Sequence, residues 1–136
     1  MAGSRFCSLE YSFFNMLMML LIAGAGGLGA LLRVFILSIC ARAHTVLPLG
    51  TLTVNILACL ACGMVLALQL DKSAAAVLIV GVVGGLGTLS SICSDTINLC
   101  TVRQFKVLAL YLMLTAVCGL GAGLAGLSLG EALCRM

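Results

Sequence analysis

Residues 81–95 read Gly-Val-Val-Gly-Gly-Leu-Gly-Thr-Leu-Ser-Ser-Ile-Cys-Ser-Asp, four glycines followed closely by hydroxyl side chains. An apolar run at 74–80 precedes them and a shorter mixed run to Cys100 follows. The pattern predicts a membrane helix interrupted midway. Backbone that unwinds at membrane depth is tolerated only where protein or a water-filled cavity receives its freed polar groups. Half-helix ends and unpaired carbonyls at such a break can ligate ions, so the stretch predicts an ion or substrate site near the bilayer midplane.

The composition around it agrees. The chain has 136 residues, 63% hydrophobic and 8% charged, with a mean hydropathy of +1.31. No soluble core of this size hides so much apolar surface, whereas a bilayer removes the need. At about 20 residues per crossing there is room for four helices. We read residues 1–12 as a tail at the water interface and 13–136 as one all-α membrane domain with spans near 13–40, 47–70, 74–100 and 107–129. The net charge of +3 is scattered, which leaves no basic patch for nucleic acid.

Eight cysteines fall mostly inside apolar runs, where the thiol packs as a small, weakly polar group. Cys59 and Cys62 form a C-x-x-C with no second pair and no histidine nearby, so all eight are read as structural. The first span continues past Ala23-Gly24-Ala25 through Leu28, Leu31 and Phe35 to Cys40, which suits a retained helix better than a cleaved signal. Arg33 lies in its second half, where an arginine either snorkels to the headgroups or faces a wet vestibule. His44, in the connection before Pro48, is read as a loop residue.

The second span gathers Gly50, Thr51, Thr53 and Asn55 in its first half, too many polar groups to face lipid. The Asn55 amide can donate to an anion or bond another helix. Asp95 is the one carboxylate deep enough to be intramembrane, with capping or a salt bridge to Arg103 as the plain alternative. In the last span Tyr111 and Thr115 are one turn apart and share a face. Gly119, Gly121, Gly123, Gly126 and Gly130 there read as packing residues that let another helix approach closely.

Charge placement adds one inference. With four spans, Arg5, Lys72 and Arg135 oppose Arg42, Arg103 and Lys106, with Arg33 near the second side. So balanced a chain has no strong reason to choose an orientation. Insertion both ways allows an antiparallel dimer about a twofold axis in the membrane plane.

These residues resemble the CrcB/Fluc fluoride channel family over nearly the whole chain after the tail. Gly26, Gly29, Ala30 and Arg33 are similar to its G-G-x-x-G-A-x-x-R, with Ala25 in place of the first glycine. Gly50-Thr51-Leu52-Thr53-Val54-Asn55 is similar to G-T-L-x-V-N, and Gly63 falls at a later family glycine. Gly81, Gly84, Gly85, Thr88, Ser90 and Asp95 lie along G-x-x-G-x-x-T-T-F-S-T-F-x-x-E, with Asp for Glu.

The resemblance implies a dual-topology homodimer in the cell membrane that lets fluoride leave the cell passively through two pores at the dimer interface. It implies crossed, broken third helices and a structural sodium ion held by backbone carbonyls, here those of Gly84 and Gly87. The pore would be lined by Asn55, Leu89, Ser90, Ser91, Ile92, Tyr111 and Thr115, with Arg33 at an aqueous vestibule. Such a pore must replace the water around a small, strongly hydrated ion with N–H and O–H donors, which these side chains supply in part.

Leu89 and Ile92 stand where the family has phenylalanines whose ring edges line the ion path, and Gly87 replaces a threonine. Leu and Ile offer no electropositive ring edge. The pore therefore works with an aliphatic constriction, or a related subunit supplies the rings in a heterodimer, or this chain is a non-conducting structural partner. A small multidrug exporter of the proton-coupled kind needs a carboxylate in its first span, and this first span has none. An enzyme is not expected, because no nucleophile is paired with a base.

Overall fold

A computed structural model describes the backbone of residues 2–42 and 45–135, and side chains from residue 15 onward within those limits. The side chains of the expected interfacial tail, and His44, lie outside the described residues. Helix α1 runs Ala2–Cys40, α2 Leu49–Ala67, and α3 Lys72–Ala76, the last passing directly into a π-helical stretch, Val77–Val83, and a final turn α4, Gly84–Leu86. Helices α5, Leu89–Thr101, and α6, Phe105–Cys134, complete the chain. Four helical stretches are long and apolar enough to cross a membrane: Asn15–Cys40, Leu49–Ala67, Lys72–Thr101 and Phe105–Cys134.

The helices associate as two pairs. α1 packs along the stretch from Val77 to Leu86, and α2 packs along α6. Because lipid is as apolar as leucine, such pairs are held by close packing rather than by hydrophobic burial, and small residues mark the contacts. A Cβ on Gly29 would run into the Val82 carbonyl oxygen, and one on Gly85 into that of Gly26. The α2–α6 seam repeats the device, Gly63 against the Gly123 carbonyl and Gly126 against that of Leu60. No glycine among the described residues has a positive φ, so these positions are chosen for closeness and not for backbone freedom.

Val54, Ala58 and Leu86 join the pairs, with Ile36, Leu37 and Val83 packed around them. A second cluster, Leu52, Leu99 and Tyr111, ties α2 to α5 and α6, with Leu47, Ile92 and Val107 against it. Most other large apolar side chains face outward, as lipid or a protein partner would allow.

The interruption is narrower than residues 81–95 led us to expect. Gly81, Gly84 and Gly85 stay helical, Gly84 at φ −65°, ψ −33°. Only Gly87 (φ −73°, ψ 148°) and Thr88 (φ −152°, ψ 124°) are extended. The glycines before the break are used to bring α1 close. α5 ends in a left-handed turn at Arg103 (φ 56°), where the Gln104 N–H donates to the Leu99 carbonyl and the Arg103 N–H to that of Cys100. That pairing closes the helix and turns the chain into α6.

Candidate functional site

A helix broken at Gly87–Thr88 leaves polar backbone groups that must find partners. The Gly87 N–H still reaches the Val83 carbonyl at 2.9 Å. The Thr88 N–H, which an unbroken helix would direct at the Gly84 carbonyl, instead donates to Asn55 Oδ1 at 2.9 Å. Asn55 is held for this by its own amide, whose Nδ2 donates to the Thr51 carbonyl at 3.0 Å. One amide N–H of Asn55 remains unspent. Of the two uses the sequence left open for Asn55, the interhelix bond is taken by the oxygen, and a donor is left over.

Gly87 fits between these groups only as glycine. A Cβ there would lie 2.9 Å from the Ala58 Cβ and 3.6 Å from Asn55 Oδ1. The position where the resemblance offers threonine is filled in this chain by the approach of α2.

α5 begins at the break without a side-chain cap. Its N-cap, Thr88, turns its hydroxyl to Ser90 Oγ, 2.7 Å away, and not to the free N–H groups of the first turn. Thr88 links the two sides of the break, its N–H on Asn55 and its hydroxyl on Ser90, and Ser91 follows in the first turn of α5. An uncapped helix N-terminus carries about half a positive charge, so the arrangement favours an anion. Ser90 is exposed and Ser91 partly so.

The second polar group lies between α5, α6 and α2. Tyr111 is completely buried, and its hydroxyl donates to Asp95 Oδ2 at 3.2 Å. Thr51, also buried, and Thr115 have side chains close to that hydroxyl. Thr115 spends its own proton on the Tyr111 carbonyl, at 2.8 Å, within the helix. The Tyr111–Thr115 stripe is therefore occupied by internal bonds. Asp95 bonds to Tyr111 and, among the described residues, makes no ion pair with Arg103.

The other expected site residues divide. Ile92 turns inward against the Leu52–Leu99–Tyr111 cluster, while Leu89 is 74% exposed at the break. Gly84 has open space where a side chain would project, its nearest neighbour being the Ile79 carbonyl oxygen at 3.5 Å. Arg33 is partly exposed and has no ion-pair partner among the described residues. The cysteines from Cys40 onward are free thiols, and no group of His, Cys, Asp or Glu among the described residues is placed to hold a metal.

Two participants, Thr51 and Thr88, were noted in the sequence for their polarity and motif position but given no place in the site. A signal existed for each. Thr51 lies one turn before Asn55, and Thr88 follows a glycine and precedes Ser90 by two. A buried tyrosine hydroxyl and an intramembrane acid each need a partner, which also pointed to Tyr111 and Asp95 meeting.

Residues 20–127 match the family described as CrcB-like protein, Camphor Resistance (CrcB). The chain is similar to a "Fluoride-specific ion channel FluC" of Paracoccus denitrificans, 34% identical over 115 residues, covering 82% of this chain and 93% of the relative. A protein of the same name from Xanthomonas axonopodis pv. citri is 38% identical over 120 residues, covering 82% and 90%. A "Fluoride-specific ion channel FluC 2" of Staphylococcus epidermidis is 37% identical over 93 residues, covering 67% and 79%. These relatives are channels and not enzymes by name.

Proposed function

The chain belongs to the CrcB family, and on that footing we propose that it is a multi-pass membrane protein conducting fluoride passively out of the cell. The observation that carries the reading is the break at Gly87–Thr88, where Asn55 binds the freed amide and keeps one N–H to spare. With the uncapped start of α5 and the serine hydroxyls, this makes a set of donors without a competing base. A fluoride ion losing water needs such donors in close succession. A negative cell interior then drives the anion outward by about 2.3 kcal/mol per 100 mV.

The working unit in this reading is an antiparallel dimer with the broken helices crossing at its centre. The open face at Gly84 and the exposed Leu89 support a second chain there. The Gly84 carbonyl, deprived of its helical N–H by the Thr88–Asn55 bond, is a hard oxygen that suits sodium. Gly84 and Gly87 from each chain would hold that ion. Sodium there would join the two helices and would not be transported.

A second reading makes this chain one subunit of a heterodimer, or a non-conducting partner. Leu89 and Ile92 favour it, since neither supplies a ring edge.

Expression of the chain in bacterial cells stripped of their own fluoride exporters tests the first reading. Growth in fluoride should return with the wild-type chain and stay absent with Asn55→Leu. No rescue by a well-expressed chain would direct attention to the heterodimer.

A further inference from the structure

Cys59 and Cys62 are the one pair of cysteines in the chain that stand three or four residues apart. Both lie on α2, and residues three apart on a helix are neighbours on one face, with Cβ atoms about 5–6 Å from each other. Each is partly exposed, and each is a free thiol. Among the described residues no third Cys, His, Asp or Glu joins them, so a metal ion that wants four ligands is not served here.

Both cysteines line one groove of about 420 Å³ between α2 and α6, and every other residue of its wall is glycine or leucine. On the α6 side stand Gly119 and Gly123. A Cβ on Gly119 would lie 3.5 Å from Cys59 Sγ, so the missing side chain leaves the thiol uncovered there. Leu66, Leu120 and Leu124, also in the wall, are exposed. The two thiols are thus the only polar or nucleophilic side chains of an apolar groove within a membrane-spanning helix pair. Packing alone asks for no such pair. A disulfide draws two Cβ atoms to about 3.5–4.5 Å, closer than this helix spacing, whereas an atom inserted between the sulfurs bridges the difference.

We propose that Cys59 and Cys62 form a dithiol site for a lipophilic trivalent organoarsenical, which enters the groove from the bilayer and lays its apolar substituent among the leucines. An arsenic(III) centre that carries one carbon has two valences left, and the helix offers two thiols. With an oxoarsine, two As–S bonds form and the As–O bond breaks. Both thiol protons leave with that oxygen as water, and arsenic stays trivalent, so no oxidant or reductant is needed. Once the first As–S bond has formed the second is intramolecular, which strengthens capture by about 10²–10⁴-fold over a single thiol. Capture is independent of what the chain conducts.

The full chain in phosphatidylcholine vesicles, reduced and then freed of reductant, tests this by titration with phenylarsine oxide. Intact mass spectrometry counts the adduct, and peptide mapping after N-ethylmaleimide shows which thiols it protects. Wild type should take up one phenylarsenic per chain and protect Cys59 and Cys62 together. The dithiol 2,3-dimercaptopropanol should release it, and mercaptoethanol at the same thiol concentration should not. C59S and C62S should each weaken capture by about 100-fold or more, while C118S should behave as wild type. Cys59→Ala and Cys62→Ala, which keep the groove wall apolar, should show the same loss, so that a serine variant that fails to fold does not decide the matter. Absence of the wild-type adduct, protection of other cysteines, or capture undiminished in the Cys59 and Cys62 variants would overturn the site. So would a loss in C118S equal to that in C59S, which would place the arsenic between helices and not on the α2 pair.

Discussion

Gly84 and Gly85 are adjacent in sequence, and the structure gives them opposite fates when a methyl is added. At Gly85 the new Cβ would overlap the Gly26 carbonyl oxygen and sit 3.1 Å from the Gly26 Cα. Carbon contacts are comfortable at about 3.5–4.0 Å, so α1 and α4 must move apart by several tenths of an ångström or more. Overpacking of this kind costs about 1–3 kcal/mol, against a gain of up to about 1 kcal/mol from replacing a helical glycine by alanine. At Gly84 the nearest atom is 3.5 Å away, and the helical gain is left uncontested. Gly85→Ala should therefore be less stable than Gly84→Ala by about 2 kcal/mol, a difference of several degrees in Tm for a chain of this size. Thermal denaturation in detergent, followed by size exclusion, reads this directly. The larger Gly84→Leu extends the test to assembly: it should keep the fold of the single chain and lose dimer formation on cross-linking. Equal Tm values for the two alanine variants would refute the close α1–α4 contact, and a normal Gly84→Leu dimer would refute the crossing at Gly84.

Asn55→Leu should cost about 1–3 kcal/mol, because the Thr88 N–H loses its acceptor, and should abolish fluoride flux; a stable variant with unchanged flux would remove Asn55 from both roles. Tyr111→Phe takes the hydroxyl from Asp95, a hydrogen bond whose loss leaves a partly buried acceptor unpaired at about 1–3 kcal/mol, and a thermal shift as large as that of Asp95→Asn is expected. If the double variant is no worse than either single one, the two act through one bond; additive losses would argue against it. Leu89→Phe meets no packing penalty in the single chain, since Leu89 is 74% exposed, and should raise fluoride flux if ring edges are what the pore lacks. An unchanged rate would make the aliphatic constriction sufficient.

The architecture was readable because the bilayer makes hydropathy and length decisive: four apolar runs were expected to be helical, and four helical stretches are long and apolar enough to cross a membrane. Of the five glycines read as packing residues on α6, Gly126 and Gly130 press against the α2 backbone and Gly119 and Gly123 touch Cys59, while Gly121 faces open space, because five glycines so closely spaced cannot all share one helix face. The same composition misled at 81–87. Glycines that approach another backbone and glycines that break a helix look alike in sequence, and only the neighbouring Gly26 and Gly29 on α1 separate the two. Asn55 was recognised as a donor, yet its partner, Thr88, lies 33 residues away and is a backbone amide, which leaves no side-chain signature. The Asp95–Tyr111 bond was hidden for a related reason: Arg103 was the nearer charge in sequence, while the α5–α6 turn at Arg103 folds Tyr111 back onto Asp95.

The most direct test of the central claim is fluoride efflux from vesicles containing only this purified chain, with voltage clamped by potassium and valinomycin and chloride as the control anion. The account predicts rapid fluoride efflux with no measurable chloride movement. A folded protein that passes neither anion, or passes both alike, would contradict it.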